Sequence, residues 1–382
     1  MKENQMESNE YFRVKARIDL DAIEHNVKNI IKNLPENVKI CAVVKADGYG
    51  HGMIEVANLL HDYVDYYAVA TLEEGLEIRK NGISDKEILV LGYVPGCKAK
   101  LAAMNNISFT LFDVDNAREC SENLGKELKL SAHIKVDTGM GRIGLTPDDE
   151  GLEVVKEMMN FENIEFTGIF SHFARADMAD EAEYTKLQLE KFLNFCDRVD
   201  LVKKVPLRHI SNSAGATRFK EAALSMVRLG KIMYGPLMSD EEEKKFELKP
   251  ALSLLSMVSY VKTIPSKTPI SYGGTFVSDK EMKVATVPVG YGDGYKWALS
   301  GKGYVLINGK KAHILGRVCM DQFMVDVSDI ENVKRYDIVT LIGKDGNEEI
   351  TADEIGEMTE SFGYEILCNV GKRIPREYRR NV

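Results

Sequence analysis

Lys45 lies where a short apolar run gives way to a glycine-rich turn, in the stretch Cys41 to Gly52, CAVVKADGYGHG. The run Val38 to Val44, with Lys39 its only charge, has the length and β-branched content of a buried strand. Asp47, Gly48 and Gly50 are turn formers, and Met53, Val56, Ala57 and Leu60 recur at helical spacing. The expected unit is strand, lysine, glycine loop, helix. It sets Lys45 at the mouth of a sheet with its stem held and its amine open to desolvation, which a lysine needs before it can attack a carbonyl. Schiff-base chemistry is the functional reading of that position. A solvated lysine just past a strand is the plain structural one, and the local pattern alone favours it.

The surrounding elements decide what such a lysine faces. A helix is expected from Asp19 as N-cap, with Ile23, Val27, Ile30, Ile31 and Leu34 on one face and an end before Pro35. Short strands then read at Val38 to Val44, Tyr66 to Ala70, Glu87 to Leu91, Ser108 to Phe112, Ala132 to Val136, Glu165 to Phe170, Leu207 to Ser211 and Met226 to Leu229. Helical stretches fill the gaps, among them Leu72 to Asn81, Val114 to Leu124, Leu152 to Asn160 and Glu181 to Val199. Eight alternations of strand and helix predict an α/β fold, a (β/α)8 TIM barrel of parallel strands ringed by helices.

After Gly235 the texture changes. Asp240 to Lys245 and Pro250 read as a linker, followed by strand-like stretches at Leu254 to Val261, Val284 to Val289, Tyr304 to Ile307 and Ile338 to Leu341. Turn sequences at 292–294, 308–310 and 345–347 separate strands of a second, mostly β domain, in which only Thr351 to Thr359 reads as helix. The expected domains are 11–245 and 246–382, with residues 1–10 disordered and 11–16 available to pair with the C-terminal domain.

Composition narrows the function classes. At 382 residues with 44 % hydrophobic and 29 % charged residues, two soluble domains are the default. A net charge of −9 and the lack of Lys/Arg clusters interleaved with aromatics argue against a nucleic-acid partner. Six scattered cysteines without CxxC or a His partner suggest neither a disulfide framework nor a metal site, which fits a reduced cytoplasmic protein. No secretory h-region opens the chain and no run of apolar residues is long enough to span a membrane, so export by that route and membrane insertion are not expected.

Polar groups gather at the ends of the expected barrel strands, the face that carries the chemistry on this fold. Lys45 ends the first; DTGMGRIG, with Arg142, follows the fifth; Ser171 and His172 end the sixth; Ser211, Asn212 and Ser213 the seventh; Arg228 and Gly230 the eighth. Read singly, His172 is better taken as a core histidine, Ser213 as a helix cap and Arg228 as a surface charge. Read together they point one way. Ser213 opens a helix and Gly230 leaves backbone amides bare near the last strand, which makes an anion site of the kind that captures phosphate. A phosphate beside a lysine points to pyridoxal phosphate.

These stretches resemble the alanine racemases, pyridoxal-phosphate enzymes built from a barrel and a β domain. The likeness is carried by AVVKADGYGHG (42–52), KVDTGMGRIG (135–144), SHFARAD (171–177), HISNSA (209–214), VRLGKIMYG (227–235), SYGGTF (271–276), VGYGDG (289–294), GRVCMDQFMV (316–325) and RIPREY (373–378), in family order over nearly the whole chain. The resemblance implies that Lys45 binds the cofactor as a Schiff base and acts as base on one face of the substrate. Tyr49, Ser213, Gly230 and Lys231 would hold the phosphate, Asn212 would lie beside the ring, and Arg228 would face the ring nitrogen, buttressed by His172 and His209. An arginine there keeps its proton, so the ring nitrogen stays unprotonated and proton exchange at Cα is favoured over transamination. Arg142, held by an often carbamylated Lys135, and the Met320 amide, next to Asp321, would receive the substrate carboxylate. Tyr291 and Tyr364 would narrow the entrance. Tyr272 would be the second acid/base and would reach the partner subunit's barrel with Met320, giving a homodimer with shared sites; the lysine then works on the D-enantiomer and the tyrosine on the L-enantiomer. The implied product is D-alanine for cell-wall peptidoglycan.

Two positions depart from the family pattern. Lys372 stands where some members have a tyrosine lining the side-chain pocket, which leaves a racemase of another amino acid, such as serine, as an alternative; Arg17 stands where an acidic residue is usual. A non-catalytic pyridoxal-phosphate carrier would need the barrel alone, and the β domain with Tyr272 argues against it. A decarboxylase is disfavoured by Arg228, and a hydrolase by the lack of G-x-S-x-G, HExxH and Walker motifs.

Overall fold

The computed structural model describes residues 11–235 and 245–380, so the expected disorder of residues 1–10 and most of the expected linker lie outside the described residues. The chain folds as two compact units: Ala22–Lys249, and the described residues up to Asp21 together with those from Pro250 on.

The first unit follows α1 (Leu20–Lys32) with strands β2 (Lys39–Val43), β3 (Tyr66–Val69), β4 (Glu87–Val90), β5 (Ile107–Leu111), β6 (Leu130–Lys135), β7 (Ile164–Phe170), β8 (Leu207–His209) and β9 (Met226–Leu229). All pair in parallel in the order β8-β7-β6-β5-β4-β3-β2-β9. The seam between β8 and β9 is bridged by the Ser225 N–H to Arg208 O and the Arg228 N–H to Ser211 O, each 3.1 Å, so the barrel is nearly closed. Strands buried on both faces read as continuous apolar runs, as Ile40 to Val43 do. The interior is packed rather than hollow: Cys41, Val43, Tyr66, Ala68 and Met226 form one cluster.

The intervening helices are α2 (Met53–Leu60), α3 (Leu72–Lys80), α4 (Ala99–Met104), α5 (Val114–Leu124), α6 (Asp149–Met158), α7 (Ala182–Val202) and α8 (Ser213–Arg218). Four of these starts carry a side-chain cap, at Thr71, Asp113, Asp148 and Asn212. Thr71 and Glu74 form a reciprocal capping box on α3, and Gly75 lets that helix lie against Ile107, whose side chain would be 3.1 Å from an added Cβ. The α6 helix starts three residues before the expected Leu152, because Asp148 caps the Gly151 amide and its acidic first turn carries no apolar signal. Ile31 on α1 and Leu34, two residues past its end, are only partly buried; Asp19 ends a strand, with its amide 2.8 Å from Ala251 O, and immediately precedes α1 at the position expected of its cap.

That strand, β1 (Val14–Asp19), belongs to the second unit, antiparallel to β10 (Leu252–Met257) and parallel to the last strand, Arg376–Arg379. The sheet continues through Ile338–Asp345, Tyr304–Ile307, Lys310–Leu315, Phe323–Asp326 and Met282–Val287 to Tyr260–Ile264. The stretch expected as one strand, Leu254 to Val261, is thus two strands, broken at Val258 and Ser259 and placed far apart in this order. A second helix, α10 (Gly363–Cys368), follows α9 (Ala352–Met358), against the expectation of one; six residues are too few to show a periodicity. Among the described residues no helix is long and apolar enough to cross a membrane.

Candidate active site

Buried His133, His209 and Arg228 and the half-buried His172 form a chain at the mouth of the barrel. Arg228, on β9, is 3 % exposed, so the reading of it as a surface charge fails. It donates through Nη1 to His209 Nδ1 (2.7 Å) and through Nη2 to Ser171 O (2.9 Å), Ile210 O (3.0 Å) and His172 Nδ1 (3.1 Å). All four acceptors are neutral. Cys41, opposite Arg228 in the strand register, adds no counter-charge, since burial pushes its thiol up to about 12. Burial lowers the guanidinium to about 10, still protonated at neutral pH. Removing one acceptor would leave part of a buried donor unmet, at a cost of roughly 1–3 kcal/mol.

A guanidinium only donates, which fixes the protons along the chain. His172 and His209 must present bare Nδ1 lone pairs, so each is neutral with its proton on Nε2. Burial and the charge of Arg228 hold both well below the usual imidazole range. The His209 Nε2–H then donates to His133 Nδ1 at 2.9 Å. His133 was not legible as a site residue, although it lies two positions before Lys135 on β6 and so shares its inward face. Its ring needs Gly168 opposite, where an added Cβ would come within 2.6 Å. Burial lowers it to about 3.

A second cluster joins three elements. Ser213 opens α8, but the cap is Asn212, whose side chain accepts the Gly215 amide. Ser213 Oγ instead accepts the Gly230 amide at 3.1 Å, which leaves its own hydroxyl proton to donate elsewhere. Gly230 is needed for space: a Cβ there would lie 2.9 Å from the Tyr49 hydroxyl. The three groups therefore lie together, and the Gly230 amide, expected to be bare, is taken by Ser213 Oγ. Lys231, next in the chain, has Nζ 3.9 Å from Asp177.

Lys45 follows β2 and its charge reaches His172. The turn after it is unusual: Ala46 (φ 53°, ψ 50°), Asp47 (φ 54°, ψ 46°), Gly48 (φ 60°, ψ 43°) and Tyr49 (φ 53°) are all left-handed. Such backbone costs roughly 1–2 kcal/mol per L-residue.

The loop after β6 wraps Asp137, whose carboxylate accepts the amides of Gly139, Met140 and Arg142. Arg142 is exposed. Lys135, at the end of β6, is 3 % exposed and donates to Val136 O at 2.7 Å. Burial, helped by the charges of Arg228 and Arg142, lowers its amine to about 7. Tyr184 and Gln188 on α7 brace this loop through Gly139 O and Thr138 Oγ1; neither was legible in the sequence.

The remaining residues lie on the second unit. Tyr272 is 71 % exposed in a turn fixed by Ser271 Oγ to Arg317 O at 2.7 Å. Met320 is 53 % exposed, and its carbonyl accepts the Gly292 amide at 2.9 Å, while the Tyr291 amide bonds Cys319 O at 3.1 Å. Beneath them the fully buried Asp293 carboxylate is bonded by Arg13 and Arg373, and Arg373 also grips Asp321 at 2.7 Å. Burial works against the Asp293 anion, but these hydrogen bonds win and hold it below the usual carboxylate range. Tyr364 lies on α10 and Arg17 on β1, 3.8 Å from Glu377. Among the described residues no group of His, Cys, Asp and Glu could hold a metal.

Residues 18–237 match the family described as "Alanine racemase, N-terminal domain" and residues 251–378 "Alanine racemase, C-terminal domain". "Alanine racemase 2" of Caldanaerobacter subterraneus subsp. tengcongensis is 41 % identical over 95 % of this chain and 94 % of its own length. The crystal structure of alanine racemase from Bacillus anthracis with bound L-Ala-P superposes with a TM-score of 0.92 at 36 % identity, over 97 % of this chain and 96 % of that one. A histidine racemase from Leuconostoc mesenteroides subsp. sake does so with a TM-score of 0.86 at 30 % identity, over 96 % and 98 %.

Proposed function

The chain belongs to the alanine racemase family of isomerases, and on that premise we propose that it interconverts L- and D-alanine with pyridoxal phosphate bound in the barrel, supplying D-alanine for peptidoglycan. The observation that carries this reading is the Arg228 guanidinium buried among neutral acceptors only. The Tyr49 and Ser213 hydroxyls, lying together beside Gly230, would donate to a phosphate, with Lys231 adding positive charge next in the chain. When bound, pyridoxal phosphate supplies a ring that draws electron density from the substrate's Cα and makes its proton removable. Arg228 would donate to the ring nitrogen without surrendering its proton, which keeps that withdrawal moderate and favours proton exchange over transamination. Asn212 would flank the ring, and His172 and His209 would hold Arg228 in orientation.

Lys45 would secure the cofactor and move the Cα proton on one face, and Tyr272 on the other. Arg142 and the Met320 amide would receive the substrate carboxylate, with Asp321 fixed by Arg373 beside Met320. Tyr291 and Tyr364 would limit the entrance to small side chains. We place Tyr272 and Met320 in the site of the partner subunit of a homodimer. Both side chains are accessible to a partner, at 71 % and 53 % exposed.

The deciding assay incubates the protein and pyridoxal phosphate with single enantiomers of alanine, serine and histidine in deuterated water and reads inversion and Cα exchange. Alanine is expected to invert fastest. Faster inversion of serine or histidine would overturn the substrate while leaving the racemase.

Lys135 extends the proposal. An amine lowered to about 7 is substantially neutral at physiological pH, and a neutral amine adds carbon dioxide with release of a proton to give a carbamate anion able to hold Arg142. The neutral fraction grows as pH rises through that value, so carbamate formed from 13C-bicarbonate should increase from about pH 6 to about pH 8. Lys135→Ala should lose the 13C signal and raise the KM for alanine. No signal at the higher pH would remove the carbamate.

A further inference from the structure

The left-handed turn from Ala46 to Tyr49 contains only one glycine, so three L-residues in it adopt a backbone that brings Cβ too near the following carbonyl. Part of its hold is internal. The Gly50 amide bonds Ala46 O at 3.0 Å, the Gly52 amide bonds Asp47 O at 2.8 Å, and Asp47 Oδ1 accepts the Met53 amide at 3.0 Å. The amide of Ala46, the first left-handed residue, is held from outside: it donates to Glu74 Oε1 at 2.7 Å. The other oxygen of the same carboxylate, Oε2, accepts the Ala70 amide at 2.7 Å and the Thr71 amide at 3.4 Å. One side chain on α3 thereby ties the turn after β2 to the end of β3. A capping box needs one carboxylate oxygen; Glu74 uses its second on the residue that follows Lys45.

We propose that Glu74 is a positioning residue for Lys45, its carboxylate clamping the left-handed turn so that the lysine is presented with its backbone fixed. The inference rests on the role proposed above for Lys45. Glutamine cannot replace the clamp, because one end of its amide is a donor and would face either the Ala46 or the Ala70 N–H. Glycine at position 46 should relieve the need for it, since glycine adopts left-handed backbone without a Cβ penalty.

The test uses the full chain as wild type, Glu74→Gln, Ala46→Gly and the double variant. One readout is amide hydrogen exchange of the peptide spanning residues 44–53 without cofactor. The other is the rate at which added pyridoxal phosphate becomes borohydride-fixable on Lys45. Glu74→Gln should speed the exchange about tenfold or more and slow the labelling by about tenfold to a hundredfold. Adding Ala46→Gly should recover most of both, which a lost helix cap on α3 would not allow. Unchanged exchange and labelling in Glu74→Gln, or no recovery in the double variant, would overturn the clamp. If Glu74→Gln does not fold, Glu74→Asp, one methylene too short to span both amides, takes its place with the same criteria. Wild-type protein that never labels on Lys45 would defeat the role of the lysine, and the exchange data would then decide the clamp alone.

Discussion

In the Tyr272→Phe variant, D-alanine should go on exchanging its Cα proton with deuterated water, while L-alanine exchanges about 10²- to 10⁴-fold more slowly, the usual loss when a general acid or base is removed. The asymmetry follows from stereochemistry. Racemisation needs a proton to leave one face of a planar carbon and another to arrive on the opposite face; a single group returns the proton to the side it left. In the proposed two-base reading the lysine would serve the D-enantiomer, so Lys45 should still strip and return a proton there after the phenol is gone. The L-enantiomer points its proton at the missing group. The Tyr272 side chain is 71 % exposed in a turn anchored by Ser271 and Arg317, so the loss of its hydroxyl should not disturb folding. Equal loss of exchange from both enantiomers, with cofactor still bound, would end the assignment of two bases.

The sequence made the barrel readable because its signals are local. All eight expected strands occur in the one parallel sheet; Lys45 follows β2 closely and Arg228 lies next to the last residue of β9, while Ser213 opens α8, four residues beyond the end of β8. What was not legible is non-local. His133 joins the site through His209, 76 residues away, and nothing near it marks the pairing except its shared face with Lys135. Glu74 reads as an ordinary capping-box residue, and only the three-dimensional fold brings its second oxygen to Ala46, 28 residues earlier. The left-handed turn is hidden for another reason: alanine and tyrosine are poor left-handed formers, so a sequence rule based on preference points away from it. The misreading of Arg228 as a surface charge, when taken alone, has the same origin, since its acceptors come from β8 and from the loops after β7 and β8 rather than from neighbours in sequence.

Mixing Lys45→Ala with Tyr272→Phe, each inactive as a homodimer, should restore activity once subunits exchange. In a shared site the lysine comes from one subunit and the tyrosine from the other. A mixed dimer therefore has one site with both substitutions and one with neither. Random exchange of equal amounts makes half the dimers mixed, so the recovered activity should approach about a quarter of wild type per site, as a two-fold symmetric dimer requires. Were each site built within one chain, every site would carry one substitution and mixing would restore nothing. Dilution supplies a second arm: wild-type activity should fall below the dimer dissociation constant, since the separated subunit lacks a base. The exposed Tyr272 and Met320 are the groups that such a dimer would cover. Demonstrated subunit exchange, for instance by mass spectrometry of isotopically labelled chains, with no recovered turnover would place Tyr272 outside the partner's site.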